Sequence, residues 1–285
     1  MIEQKPTSLK THTTAIYPAV MLGVFFLVPF MIMLAVSFFH RVEGGFYEPG
    51  FELASYERFF TPFFVRILGF SLFAAGLAAI VCVTVGFSFT YLLTRMQQRA
   101  QILMLVFMLA VLSLSEVIIG FAWSTLLSRT AGVSNLLVWV GLMDQSVAWT
   151  PGFVALLFGL VYLGFPYTVL VLYPSLSRLD PELPEVAVTM GASPLRAFFT
   201  VVVPVLRNAI VATLILIFVF TLGAFLLPQV LGRPQHWTLS VLITDQAIFQ
   251  SNIPFAAAMA IFLMLVSLAL VGLTLLLGKG QEARQ

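Results

Sequence analysis

Few side chains in this sequence have the type and setting to do chemistry. Glu116 is the one acid inside a long apolar run, and Trp123 follows seven residues later, two helical turns along nearly the same face. A charge at the centre of a bilayer costs about 2.5–3.5 kcal/mol, so Glu116 should turn toward the bundle interior or water. There it is either an anionic point on a path for a cationic solute or a carboxyl hydrogen-bonded to helix neighbours such as Ser113 or Ser115. Trp123 either holds an ammonium group over its ring, worth about 0.5–2 kcal/mol, or belongs to the aromatic belt at the membrane surface. Tyr162 either lines the same path or packs. Asp245 is an exposed loop acid or a contact for an external partner. Enzyme chemistry has little support. His12, His40 and His236 lie far apart and outside the apolar runs, where solvated surface is their ordinary setting. There is no His-Glu-x-x-His, no Gly-x-Ser-x-Gly and no pair of carboxylates within a run. The single cysteine, Cys82, excludes an internal disulfide or a thiolate metal site.

The elements that must position these residues are membrane spans. Of 285 residues, 60% are hydrophobic and only 9% charged, with a mean hydropathy of +1.05, against roughly 25% charged in a soluble domain. The net charge of +2 is too small and too evenly spread for nucleic acid. Six apolar runs approach or exceed the ~20 residues needed to cross hydrocarbon: 15–39, 67–94, 102–127, 153–176, 209–231 and 255–277. The first is too long for the core of a cleaved secretory signal. The fold class is therefore all-α and polytopic, with one six-span domain over 15–278 between tails 1–14 and 279–285. With six spans, nine Lys and Arg fall on the side of the termini, the 95–101 turn and the 177–208 loop, against five on the other. That asymmetry puts both termini in the cytoplasm. In the second run Ala74, Ala75, Ala78 and Ala79 cluster at a spacing that lets helices approach closely, as in ordinary bundle packing.

The loop 177–208 is polar sequence held between two spans. Leu183, Val186, Ala187 and Met190 fall at i, i+3, i+4 and i+7, one apolar stripe. Gly191 follows where a glycine commonly ends a helix in the left-handed conformation. Ser193-Pro194 reads as N-cap and first residue of a second helix, whose stripe is Leu195, Phe198, Phe199 and Val202. Pro204 should bend the chain, because its ring displaces the backbone bond to Thr200. Two short amphipathic helices at a glycine corner make a knob for a soluble partner. Interfacial helices on lipid look similar, but their polar faces are rich in Lys and Arg, and these are acidic or mixed.

The stretch Glu185-x-Ala187, three residues, Gly191, nine residues, Val201-x-Val203-Pro204 resembles the EAA loop of permease subunits of type I ATP-binding-cassette importers. Val186, Val201 and Val203 stand where that pattern has Ala, Ile and Leu. Three further stretches resemble the spermidine/putrescine-type permeases: Gly159 to Leu176, Ala122-Trp123 with Gly132 to Asn135, and Asn252 to Ala257. The resemblance covers roughly 15–278 and implies the type I importer permease fold in a bacterial inner membrane. It further implies two cytoplasmic ATPase subunits that use ATP and Mg, a second and different permease, and an external solute-binding protein. Glu185, Ala187, Gly191, Ala192 and Ser193 are the expected ATPase-coupling residues; Glu116, Trp123, Tyr162 and Asp245 belong to the expected solute path. The implied cargo is a polyamine or related cationic compound, with iron, sulfate, thiamine, phosphonate or an amino-acid derivative as alternatives. No Gly-x-x-x-x-Gly-Lys-[Ser/Thr] occurs, so this chain is expected to bind no cofactor and hydrolyse no ATP itself. A secondary transporter or channel is the rival reading. One acid in six spans is thin for coupled transport, and a carrier has no need of a docking knob.

Overall fold

The computed structural model describes residues 17–282 apart from 19, 43, 44, 46 and 131, with side chains described to residue 272. The tail 1–14, with His12, lies outside the described residues. Among those described, helices dominate and no strand forms beyond an isolated bridge between His40 and Glu48. The helices are α1 Val20–Val36, α2 Pro62–Thr94, α3 Gln98–Leu112, α4 Glu116–Leu126, α5 Val133–Trp139 and α6 Phe153–Ser177. Then come α7 Glu182–Thr189, α8 Pro194–Val205, α9 Arg207–Gly223, α10 Leu226–Leu231, α11 Leu239–Phe249 and α12 Ile253–Glu282.

The chain forms two compact units. One comprises the described parts of Met1–Thr61 together with Ile243–Leu263; the other comprises Pro62–Leu242 with Met264–Gln285. Phe38 stacks on Phe51 and Tyr56 in the first, where His40 Nδ1 pairs with Glu52 at 2.6 Å. In the second, α6 is the central helix and packs on α2, α3, α4, α9 and α10. Lipid is as apolar as leucine, so close fit rather than water exclusion must hold these helices together. The small residues supply it: Ala74, Ala75, Ala78 and Ala79 are all buried. At Gly86 the approach of α6 is so tight that a Cβ would come 2.6 Å from the Thr168 methyl.

Three helices, α2, α6 and α12, are each long and apolar enough to cross a membrane; counting each of two bent pairs as one span gives five. The described part of the first run, α1, has 17 residues and falls short of that length. The third run is not one straight span. It breaks at Ser113–Ser115 and α4 leaves α3 at 96°. The Ser113 hydroxyl donates to the Ala110 carbonyl (2.7 Å) and the Ser115 hydroxyl accepts from the Val117 amide (3.3 Å), so both serines offer the backbone an alternative to the helix ladder. The fifth run also divides, at Ala224 and Phe225. Pro228 cannot donate to the Ala224 carbonyl, but in the first turn of a new helix its missing N–H costs nothing. The loop expected after that run is instead largely helical, as α11, and the last helix runs on through 279–282.

Proline also accounts for two wide turns. π-helical turns at Gly23–Leu27 and Phe198–Val202 end two residues before Pro29 and Pro204. Shifting bonds to the i−5 carbonyl makes room for each ring, as the Val203 amide on the Phe198 carbonyl shows. The bend expected at Pro204 comes at Leu206, where α9 turns 75° from α8.

Candidate functional site

The first candidate site is the corner between α7 and α8, built by local capping. The Glu182 amide bonds to the Asp180 carboxylate (3.0 Å) at the start of α7. At its end the Ala192 amide reaches the Ala187 carbonyl (3.0 Å) and the Gly191 amide reaches Val188 (2.9 Å), the paired bonds of a Schellman cap. Gly191 has φ +93°, which side chains with a Cβ resist. Ser193 caps α8 by accepting from the Arg196 amide (3.3 Å). Glu185, Gly191 and Ser193 are exposed, Ala187 and Ala192 half-buried.

The apolar stripes do not pack as wholes. Pro184 is buried, while Leu183, Val186 and Met190 (84% exposed) face out. In α8, Ala197 and Val202 are buried and Phe198 half-buried against Phe87, Tyr91, Leu172 and Leu176, while Leu195 and Phe199 (64% exposed) face out. The stripes are wider than the surface the bundle offers. Pro184 beside the first stripe and one edge of the second anchor the corner, while Leu183, Val186, Met190, Leu195 and Phe199 stay exposed, apolar surface suited to a protein partner.

The second candidate lies where α4 meets α6. Because of the break, Glu116 begins a helix rather than sitting midway along one. It lines a recess of about 130 Å³ with Ile119, Tyr162, Pro166, Tyr167 and Phe220. Tyr162 and Pro166 also line a cleft of about 300 Å³ with Phe107, Trp123, Phe158 and Phe165. Trp123, half-buried, is edge-on to Tyr162 at 5.7 Å and stacked on Phe158 at 5.9 Å. Tyr162 thus borders both the recess of Glu116 and the cleft of Trp123. Asp245 stands in the other compact unit, at the start of a π-helical turn, half-buried. Phe158, Pro166 and Phe220 escaped the sequence reading as lining. The four-residue steps Phe158–Tyr162–Pro166 put one face of α6 on the cleft and were the available signal.

At the far end of α6 the Gly152 amide bonds to the Leu231 carbonyl (2.8 Å) and Arg233 Nε to the Pro151 carbonyl (2.9 Å). His236 is not the solvated surface residue expected: it stacks on Phe70 at 5.6 Å and lies edge-on to Phe153 at 6.0 Å. Burial, and secondly the Arg233 charge, hold its imidazole below the ordinary histidine range. Among the described residues no three His, Cys, Asp or Glu side chains converge as metal ligands.

Known proteins share this arrangement. Residues 86–282 match the model of a family described as binding-protein-dependent transport system inner membrane component. The spermidine/putrescine transport system permease protein PotB of Escherichia coli K12 is 28% identical over 247 residues, which cover 86% of this chain and 89% of that protein. Among solved structures, a bacterial ABC transporter involved in import of the acidic polysaccharide alginate superposes with a TM-score of 0.77 at 18% identity, covering 94% of this chain and 95% of that one. The alginate transporter in complex with an alginate-pentasaccharide-bound periplasmic protein gives 0.71 at 18% identity, with 93% and 92% covered. These structures share the fold. With more than half of its length matched, the chain belongs to the binding-protein-dependent transport system inner membrane component family and is a permease of the ABC importer type.

Proposed function

We propose that this permease carries a cationic small solute of the polyamine class, powered by ATP hydrolysis in separate cytoplasmic subunits that dock on the α7–α8 corner. The observation that carries the solute class is the Glu116 recess, where a carboxylate shares its walls with Tyr162 and Tyr167 next to the Trp123 cleft. A carboxylate attracts ammonium groups, aromatic faces add cation–π attraction, and the apolar walls suit the methylene links between charges. The relative named for spermidine and putrescine transport supports the same class. Glu185, Ala187, Gly191, Ala192 and Ser193 form the coupling corner, with the termini on the same cytoplasmic side. An external binding protein delivers the solute, and a second, different permease completes the path. ATP-driven closure of the motor subunits draws the corners together and opens the path outward; hydrolysis resets it.

The test is uptake by the complete assembly in proteoliposomes. Labelled spermidine and putrescine should accumulate only with ATP and the binding protein. Accumulation of sulfate, ferric iron, thiamine or a phosphonate in their place would overturn the solute class. Accumulation by this chain alone, without ATP, would overturn the importer mechanism.

A further inference from the structure

The recess beside Glu116 holds about 130 Å³, whereas pockets that enclose a small molecule run to ~300 Å³ or more. Val111, Tyr162 and Pro166 line both it and the Trp123 cleft, a wall common to the two. A solute that reaches the carboxylate therefore needs one wall of the recess to yield. Among the described residues that line it, all but one come from α3, α4, the break between them, and α6. The exception is Phe220 of α9, whose ring lies against Tyr167 of α6 with centroids 4.5 Å apart and planes inclined by 56°. Both residues are only half-buried, so neither is locked into a fully packed core.

α6 and α9 are also the helices that enter and leave the α7–α8 corner. Residues 178–181 lead from the end of α6 at Ser177 into α7, and α9 begins at Arg207, where the chain has turned 75° out of α8. The two helices meet at Gly164, so closely that a Cβ there would come 3.2 Å from Ile217 Cγ2 and 3.0 Å from Cys82 Sγ. Tyr167 is about one turn from Gly164 and Phe220 about one turn from Ile217. Packed helices move by small sliding shifts, and a shift at this crossing displaces one ring against the other. We propose that the Tyr167–Phe220 contact gates the Glu116 recess, parting when movement of the corner shifts α9 against α6. Phe220 governs access to the carboxylate rather than binding the cargo. The inference rests on the corner being the ATPase contact and does not depend on which solute is carried.

Leu112, half-buried on the recess wall, reports access when replaced by cysteine, and Cys82 is buried. In the complete assembly, with partner subunits free of cysteine, L112C is treated with a small methanethiosulfonate reagent. It should react about tenfold faster with nucleotide trapped by vanadate than without nucleotide, as the open population rises. Phe220→Ala should abolish that difference by raising the nucleotide-free rate, and Tyr167→Ala should do the same from the other helix. Phe220→Tyr keeps a ring and should preserve the difference. A full difference in both alanine variants would overturn the gate while leaving the coupling corner standing. No difference with both rings in place would overturn it too. Uptake in the same vesicles then judges the coupling reading separately: uptake that still requires ATP shows the corner working without this gate.

Discussion

Phe198 of α8 meets Tyr91 of α2 with ring centroids 5.0 Å apart and planes inclined by 57°. The Arg95 guanidinium lies 5.0 Å from the Tyr91 ring centroid and bonds to its hydroxyl (3.0 Å), and Phe198 also touches Phe87 at 5.5 Å. The α7–α8 corner is thus keyed into α2, the longest of the described helices.

Phe198→Ala should loosen that key. Truncating a half-buried phenylalanine costs roughly 2 kcal/mol, and the loss falls on the contact rather than on the exposed docking surface. ATP hydrolysis by the assembly should persist while solute uptake per ATP falls; Phe198→Leu should restore most of it. Parallel hydrolysis and uptake measurements check the split.

Glu185→Lys acts on the other side of the same corner. The residue is exposed, so membrane insertion and assembly of the bundle should survive. Uptake should fall about tenfold or more, a loss of at least ~1.4 kcal/mol of coupling. Wild-type uptake in proteoliposomes would contradict the coupling role.

Gly191→Ala tests the geometry between the two helices. With φ at +93°, a Cβ introduces strain of about 1–2 kcal/mol although nothing crowds the position. Protease cleavage in the loop should quicken, with Gly191→Asn intermediate because asparagine tolerates positive φ better.

Glu116→Gln keeps the shape of the recess and removes its charge. If ammonium groups pass there, apparent affinity for spermidine should weaken by about tenfold, ~1.4 kcal/mol, with less effect on a monoamine. Equal affinities in a competition assay would assign Glu116 to packing.

His236 gives a pH dependence of defined sign. Its imidazole is held below the ordinary value of 6.5, so the unfolded chain binds the proton first as pH falls. Stability should be full above 6.5 and decline as pH is lowered from there toward the depressed value. His236→Phe retains a ring against Phe70 and should flatten that part of a thermal-stability profile.

Hydropathy and composition made the helical class plain, because a run such as 67–94 has no other way to satisfy its backbone in lipid. The interruptions were harder to see. Ser115-Glu116 is a cap followed by an acid, and Pro228 forbids a continuous helix through Ala224, yet each is a small polar signal inside a long apolar average. The corner at Gly191 and the cap at Ser193 follow from local chemistry and were legible in a few residues. Which edge of each stripe would pack was not, since that depends on how α2 and α6 present Tyr91 and Leu172. Glu116 and Trp123 were linked by spacing within one run; their meeting with Tyr162 needed the α4–α6 contact, which sequence does not display.

The 96° turn between α3 and α4 has a cost that side chains cover only in part, the Ser115 hydroxyl taking the Val117 amide. A helix that starts inside the hydrocarbon layer begins with amides its own ladder leaves open, and across from it Pro166 withholds the bond that the Tyr162 carbonyl would ordinarily receive. Lipid tails can answer neither deficit. Broken backbone within a bilayer is tolerated only beside protein or water, so this break has to keep its back to lipid between one cargo molecule and the next.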